Sequence, residues 1–400
     1  MSRRFPIVAA ALAMLVPPAV LAGPADDPYE WAVPSATTLV ELGAWADGSK
    51  LQADATRRDL ALALTALLPQ DEAGSGTEAP SEWAVVLPEP DPAAPPGDPF
   101  APQAPAVPLP VETPASPLPG SEQAVGTVIA RRWVVGSRAQ LDRPATAREA
   151  ERAFVLALGL DAERKALSTL STEDGVRLRL PAGFANAVLS REAGLRYNHL
   201  TEHDDLERGP TEPLARGDLA YMAVRSLETA GWRRESLAEL AEVRLPPLSA
   251  RRRELVERAL RWVGQPYVWA GESPTTRSPF GPQAHGGFDC SGLVWFIFGV
   301  GTSRTVAGAA RIGGRTADQM AWERGARRVR PQALRPGDLV FFGRRGAKTR
   351  RGQVEHVGMA LGNDWMVHSS GSRGGVSVSH ISSYWGDALA FGRRMLPAGQ

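Results

Sequence analysis

The spacing of apolar and polar positions changes character along the chain. Near the front, Leu60, Leu64, Leu67 and Leu68 recur at helical intervals behind Ala55, Thr56, Arg57, Arg58 and Asp59. The same form returns with Met222, Ala223 and Leu227 behind Leu214, Ala215, Arg216, Gly217 and Asp218. A looser copy carries Ala153, Phe154, Ala157 and Leu158 behind Ala145, Thr146, Ala147, Arg148 and Glu149, with Arg and acid out of register. Amphipathic helices of one kind predict a mainly helical repeat region whose units bury their faces on one another. Between the first and second copies, residues 87–120 hold thirteen of the chain's 34 prolines and almost no apolar periodicity, which reads as a stiff linker or insertion.

After Pro246 and Pro247 the pattern shifts. Arg251 to Val263 is amphipathic, with Leu255, Val256, Ala259, Leu260 and Val263 on one side and arginines on the other, and Gly264 and Pro266 end it. The turn signature Leu334 to Asp338 releases into a strand over Leu339 to Phe342. From His356 to Leu361 the positions alternate: Val357, Met359 and Leu361 share one face, and His356 lies with the small Gly358 and Ala360 on the other. A three-residue turn at Gly362 to Asp364 would return the chain so that His368 sits opposite Gly358 and diagonal to His356. The hairpin thereby offers two imidazoles to one side of an antiparallel sheet.

Composition narrows the reading. The balance of 45 basic against 44 acidic residues gives no nucleic-acid footprint. Residues 1–22, with Arg3 and Arg4 before an apolar run from Ile7 to Leu21, read as a signal peptide cut after Ala22, so the mature chain is expected to be exported without a transmembrane segment. No cysteine follows that cut, which excludes a lipoprotein anchor. The domains are then 1–22 signal peptide, 23–86 first helical copy, 87–120 Pro-rich stretch, 121–245 helical region and 246–400 a separate C-terminal domain.

One cysteine stands in 400 residues. Cys290 lies between Asp289 and Ser291 at the start of the apolar run Leu293 to Phe298, where a loop gives way to a buried helix. A thiol at a helix N-terminus meets the positive end of the dipole and unpaired N–H groups, which favours thiolate. Free cysteine is also among the most buried and inert residue types. In an exported chain a single thiol cannot form an internal disulfide, so its retention points to chemistry. With two histidines the set means nucleophilic catalysis, a zinc site or a chance grouping, but zinc normally takes four N/S ligands and the usual local spacings are absent.

The order of blocks resembles the NlpC-type family of papain-like cell-wall peptidases. The matching blocks are Gly264 to Trp269, Phe288 to Leu293, Arg315 to Ala317 with Gln319, Pro336 to Phe342, His356 to Gly358, and Val367 with His368. The resemblance covers roughly Arg251 to Leu396. It implies an α+β papain-like domain, with Cys290 as nucleophile, His356 as general base and acid, and His368 as the orienting third member. It implies further that Tyr267 stands near the oxyanion and that Asp289 and Ser291 meet the free amine and polar atoms of the stem peptide, although Asp289 is equally placed to cap the helix. The implied reaction is hydrolysis of the γ-D-glutamyl bond to diaminopimelate in peptidoglycan, through a thioester, with no metal or organic cofactor, in the cell wall or periplasm. Another amidase or acyltransferase on the same fold is the rival enzyme reading, and a non-catalytic wall-binding protein the rival outside enzymes.

The front copies resemble S-layer homology repeats. The Thr-Arg-x-acid signature falls on Thr56, Arg57 and Asp59 and partly on Arg216 and Asp218, which implies binding to an anionic cell-wall polymer. The alternative is a small helical domain in which these side chains only cap and solvate helices.

Overall fold

The computed structural model describes residues 27–68, 120–229, 231–302 and 305–397. The expected signal peptide at 1–22 and the Pro-rich stretch, apart from Gly120, lie outside them. Among the described residues the α-helices are α1 (Val33–Glu41), α2 (Arg57–Thr65), α3 (Glu122–Ala130), α4 (Ala147–Ala157), α5 (Asp161–Ser168), α6 (Phe184–Glu192), α7 (Arg216–Leu227), α8 (Gly231–Ala238), α9 (Ala250–Leu260), α10 (Cys290–Phe298) and α11 (Ala317–Ala321). None is long and apolar enough to cross a membrane.

The three sequence copies start α2, α4 and α7, and their starts are tied into a closed cycle. Ala55 donates its N–H to the carbonyl of Leu214, Leu214 to Ala145, and Ala145 back to Ala55, at 2.7 to 3.0 Å. The first N–H groups of each helix then find the loop before the next: Arg57 and Arg58 donate to Arg143 and Leu141, Ala147 and Arg148 to Glu212 and Pro210, and Arg216 and Gly217 to Ala53 and Leu51. Helix N-termini leave such donors unpaired, so each unit completes its neighbour. The middle copy departs from expectation in one respect. Glu149 is in register with Asp59, since both close a capping box, with Thr146 and Thr56 respectively; only the arginine is displaced, to Arg148.

Among the described residues there are ten strands: the short pairs β1 (Glu272–Ser273) with β4 (Gly287–Phe288) and β2 (Arg277–Ser278) with β3 (Gly281–Pro282), then a six-stranded antiparallel sheet. The latter comprises β5 (Arg327–Val329), β6 (Leu339–Phe342), β7 (His356–Gly362), β8 (Trp365–Ser370), β9 (Gly375–His380) and β10 (Leu389–Arg394), in the order β5-β10-β6-β7-β8-β9. The molecule is therefore α+β, with helices in front and an antiparallel sheet behind, and α10 lies against β7 and β8. The face holding Val357, Met359, Leu361 and Val367 shares one core with Leu293, Val294 and Ile297 of α10; Val340, Phe342 and Met366 on the reverse gather around Trp385. Arg252, expected on the solvent side of α9, is instead buried and donates to the carbonyl of Pro336.

The β7–β8 hairpin reaches the expected pairing by another route. Met359 pairs with Val367 and Ala360 with Met366, but Gly362 then pairs with Trp365, so the extra residue is a bulge at Leu361 and the turn has two residues. Asn363 and Asp364 both have positive φ, 48° and 65°, the conformation of a tight hairpin turn that suits the twist of the strands. The bulge restores the parity that a three-residue turn would have supplied.

The helical region docks on the outer strand of this sheet. The wholly buried Arg191 on α6 donates to the carbonyls of Arg373, Gly374 and Gly264, the last at 2.6 Å. An edge strand left open is a template for unwanted pairing, and α6 covers this one.

Candidate active site

Asp289 caps α10: its Oδ1 accepts the N–H of Gly292 at 2.5 Å and the hydroxyl of Ser291 at 3.0 Å. A side chain at Gly292 would place its Cβ 1.9 Å from the carbonyl oxygen of Gly271, so only glycine lets the helix start against that backbone. These contacts fix Cys290 at the first helical position, partly exposed, with backbone N–H groups of Ser291 and Val357 facing its sulfur. Val357 immediately follows His356, so the general-base candidate stands on β7 beside the residue that meets the sulfur.

Burial works against the thiolate. Burial pushes the Cys290 thiol up to about 12, the Asp289 carboxylate adds to the rise, and the two N–H groups and Arg315 oppose it without prevailing. The helix start favours the anion as expected, but desolvation outweighs it. His356 is 5% exposed and burial drives its pKa down to about 3; His368 is fully buried and held well below its ordinary value by burial and by His356. Burial thus favours the neutral thiol and the neutral imidazoles.

The two imidazoles meet as the alternation implied. His356 Nε2 lies 2.9 Å from His368 Nδ1, with the rings edge to face, and His368 Nε2 lies 2.8 Å from Ser379 Oγ. Trp385 stacks on His356 with centroids 4.6 Å apart and planes 15° off parallel, and meets His368 edge-on. That indole is one source of the burial that keeps His356 neutral. Nothing near Trp385 in the sequence marks it for this place.

Tyr267 is half-buried, and its backbone bridges Phe288, two residues before Cys290. Burial, Cys290 and Asp289 raise its phenol well above the usual value, so it stays a hydrogen-bond donor. Asp289 and Ser291 are both held by Arg315, whose Nη2 meets Asp289 Oδ2 at 2.8 Å and whose Nη1 meets Ser291 Oγ at 2.7 Å. Its Nε meets Glu272 Oε2 at 3.0 Å. Arg315 stands in one of the blocks that carry the resemblance, and its spacing alone assigns it no role. Two carboxylates around one guanidinium leave this corner with one excess negative charge.

The front candidates are not brought to this site. Thr56 and Asp59 form a capping box, Arg57 pairs with Glu149 at 2.5 Å, and Arg216 lies 3.5 Å from Asp59 and over the Trp45 ring. Asp218 is buried 3.5 Å from His199. Thr56, Arg57, Asp59 and Arg216 thus join one copy to another or begin a helix, and Asp218 meets a histidine that lies before the third copy. Among the described residues no group of three or more His, Cys, Asp or Glu side chains is gathered to hold a metal.

The depressed imidazoles make stability depend on pH. An unfolded chain takes up protons at histidine near pH 6.5, whereas folded His356 resists until about pH 3. The stability carried by this difference is complete above pH 6.5 and lost as pH falls from 6.5 toward 3. Melting temperatures should therefore drop more across that window in the wild type than in a His356→Gln, His368→Gln double variant. Parallel curves would show that these rings are hydrated.

Residues 264–394 match the model of the NlpC/P60 family, so the C-terminal region carries an NlpC/P60 family domain. The chain is 30% identical over 142 residues to murein DD-endopeptidase MepH of Escherichia coli (strain K12), covering 35% of this chain and 45% of that protein. It is 37% identical over 143 residues to the bifunctional muramidase/DL-endopeptidase CwlT of Bacillus subtilis (strain 168), covering 35% of each. The chain thus spans less than half the length of either relative. Among solved structures, the NlpC/p60 domain of peptidoglycan hydrolase SagA is similar at 28% identity and a TM-score of 0.26, over 36% of this chain and 97% of that one.

Proposed function

We propose that this chain is an exported cysteine peptidase of peptidoglycan, cutting stem peptides at the γ-D-glutamyl bond to diaminopimelate. The observation that carries the reading is the 2.9 Å His356–His368 hydrogen bond on the strand whose Val357 N–H faces the Cys290 sulfur. As the sulfur attacks the carbonyl carbon, the thiol proton passes to His356. Charge on the carbonyl oxygen is met by N–H groups at the start of α10 and by the Tyr267 hydroxyl. His356 then gives its proton to the leaving amine, and a thioester remains on Cys290. Water, deprotonated by His356, attacks the thioester, and the thiol recovers its proton.

The excess negative charge around Asp289, Glu272 and Arg315 suits a substrate ammonium, in keeping with a stem peptide that has a free amino end. The cyclic helical region supports a repeat architecture of the S-layer homology kind. Its signature residues are all engaged within the helical region, which favours a structural role for them over attachment to an anionic wall polymer.

Digestion of defined muropeptides, followed by mass spectrometry, tests the reading. Cleavage between D-glutamate and diaminopimelate is expected, and more slowly when the amino end is acylated. Because one relative is named a DD- and the other a DL-endopeptidase, release of crosslinked dimers to monomers would move the assignment to the DD bond. A folded wild type that cuts neither bond would overturn it.

A further inference from the structure

The hydrogen-bonded chain through the histidines does not end inside the C-terminal domain. Ser379 Oγ, which meets His368 Nε2, donates to Glu192 Oε1 at 2.6 Å, and Ser377 Oγ donates to the same oxygen at 3.1 Å. Glu192 Oε2 pairs with Arg373 Nε at 3.2 Å. Glu192 is the last residue of α6, in the helical region.

A carboxylate can only accept hydrogen bonds, and this fixes the direction of every proton behind it. Ser379 has one hydroxyl hydrogen and gives it to Glu192, so its oxygen must accept from His368, which places the His368 proton on Nε2. A neutral imidazole has one N–H, so His368 Nδ1 is an acceptor and His356 must donate to it from Nε2. The Nδ1 of His356 then carries a lone pair and no proton, the form a general base requires. Which nitrogen of a catalytic histidine bears the proton is set by the partner of the other nitrogen.

We propose that Glu192 is a positioning residue of the cysteine site, supplied by the helical region, which sets the tautomers of His368 and His356 through Ser379. The claim rests on the peptidase reading for its effect on rate, but not for its effect on the protons. The amide of Glu192→Gln can donate. With Arg373 drawing the amide oxygen, the NH2 turns toward Ser379, the hydroxyl turns toward His368, and both rings change tautomer. A cavity of about 160 Å³ bordered by Glu192, Arg373, Ser379 and Trp385 leaves room for water, so Glu192→Ala would be a weaker probe than the amide.

The test uses the full chain and reads imidazole nitrogen chemical shifts by NMR alongside stem-peptide kinetics. In the wild type both rings should carry the proton on Nε2. In Glu192→Gln the shifts should report Nδ1–H on both rings, and kcat should fall at least about tenfold with KM changed less than about twofold, as for a wrong tautomer. Ser379→Ala breaks the link while leaving the Glu192–Arg373 pair, and should also lower kcat; it serves if Glu192→Gln fails to fold. Unchanged tautomers and kcat within about twofold in a folded Glu192→Gln would overturn the proposal, as would full activity in Ser379→Ala. Shifts that reverse in a chain whose wild type hydrolyses no stem peptide would support the relay and overturn only the peptidase reading.

Discussion

Replacing Cys290 by alanine is expected to lower stem-peptide hydrolysis by on the order of 10³-fold or more while leaving the fold intact. The thioester needs a sulfur, and no other thiol exists in the chain to substitute for it. The fold should survive because the start of α10 is held by Asp289 and by the contact at Gly292, neither of which involves the thiol. Alanine is also a strong helix former at the first helical position. Product release by mass spectrometry and the melting temperature together decide the matter. Activity within tenfold of the wild type, with an unchanged melt, would mean that the nucleophile is elsewhere.

The second large effect separates the histidines. His356→Gln should reduce kcat by about 10³-fold, since no amide can take the thiol proton. His368→Gln should cost less, about 10- to 100-fold, because an amide oxygen can still accept from His356 Nε2 while its NH2 donates to Ser379, preserving the direction of the chain. The low pKa values of both rings sharpen the contrast: His368 is held neutral by burial and needs only to accept and donate. Equal and complete loss in both variants, or tight stoichiometric zinc in the purified wild type, would replace orientation by direct proton transfer or by metal ligation.

How far these features could be read from the residues follows from their range. The strand Leu339 to Phe342 and the alternation from His356 to Leu361 were legible because side chains on a strand alternate, and a slip of one would turn His356 and His368 away from each other. The turn was legible in parity but not in kind: sidedness demands one extra residue, and only the backbone reveals that Leu361 supplies it as a bulge while Asn363 and Asp364 take positive φ. The capping box at Thr146 is as local as the one at Thr56, yet a reading that sets Glu149 out of register passes over it. The pull of the helix start on the thiol is visible in sequence, and the burial that opposes it is not. Glu192, Trp385 and the role of Arg315 depend on chain segments far apart in sequence, and no spacing rule reaches them.

The cycle among Ala55, Ala145 and Leu214 has a consequence for how the front of the molecule comes apart. An open stack of repeats can fray from its ends, one unit at a time. A closed cycle has no end unit: removing any copy leaves donors bare at one neighbour and acceptors at the other. Loss should therefore be concerted, with amide hydrogens at the starts of α2, α4 and α7 exchanging at a single rate set by one shared opening. Since α6 belongs to that assembly and carries Arg191 and Glu192, such an opening would uncover the edge of the sheet and release the far end of the histidine chain in the same event.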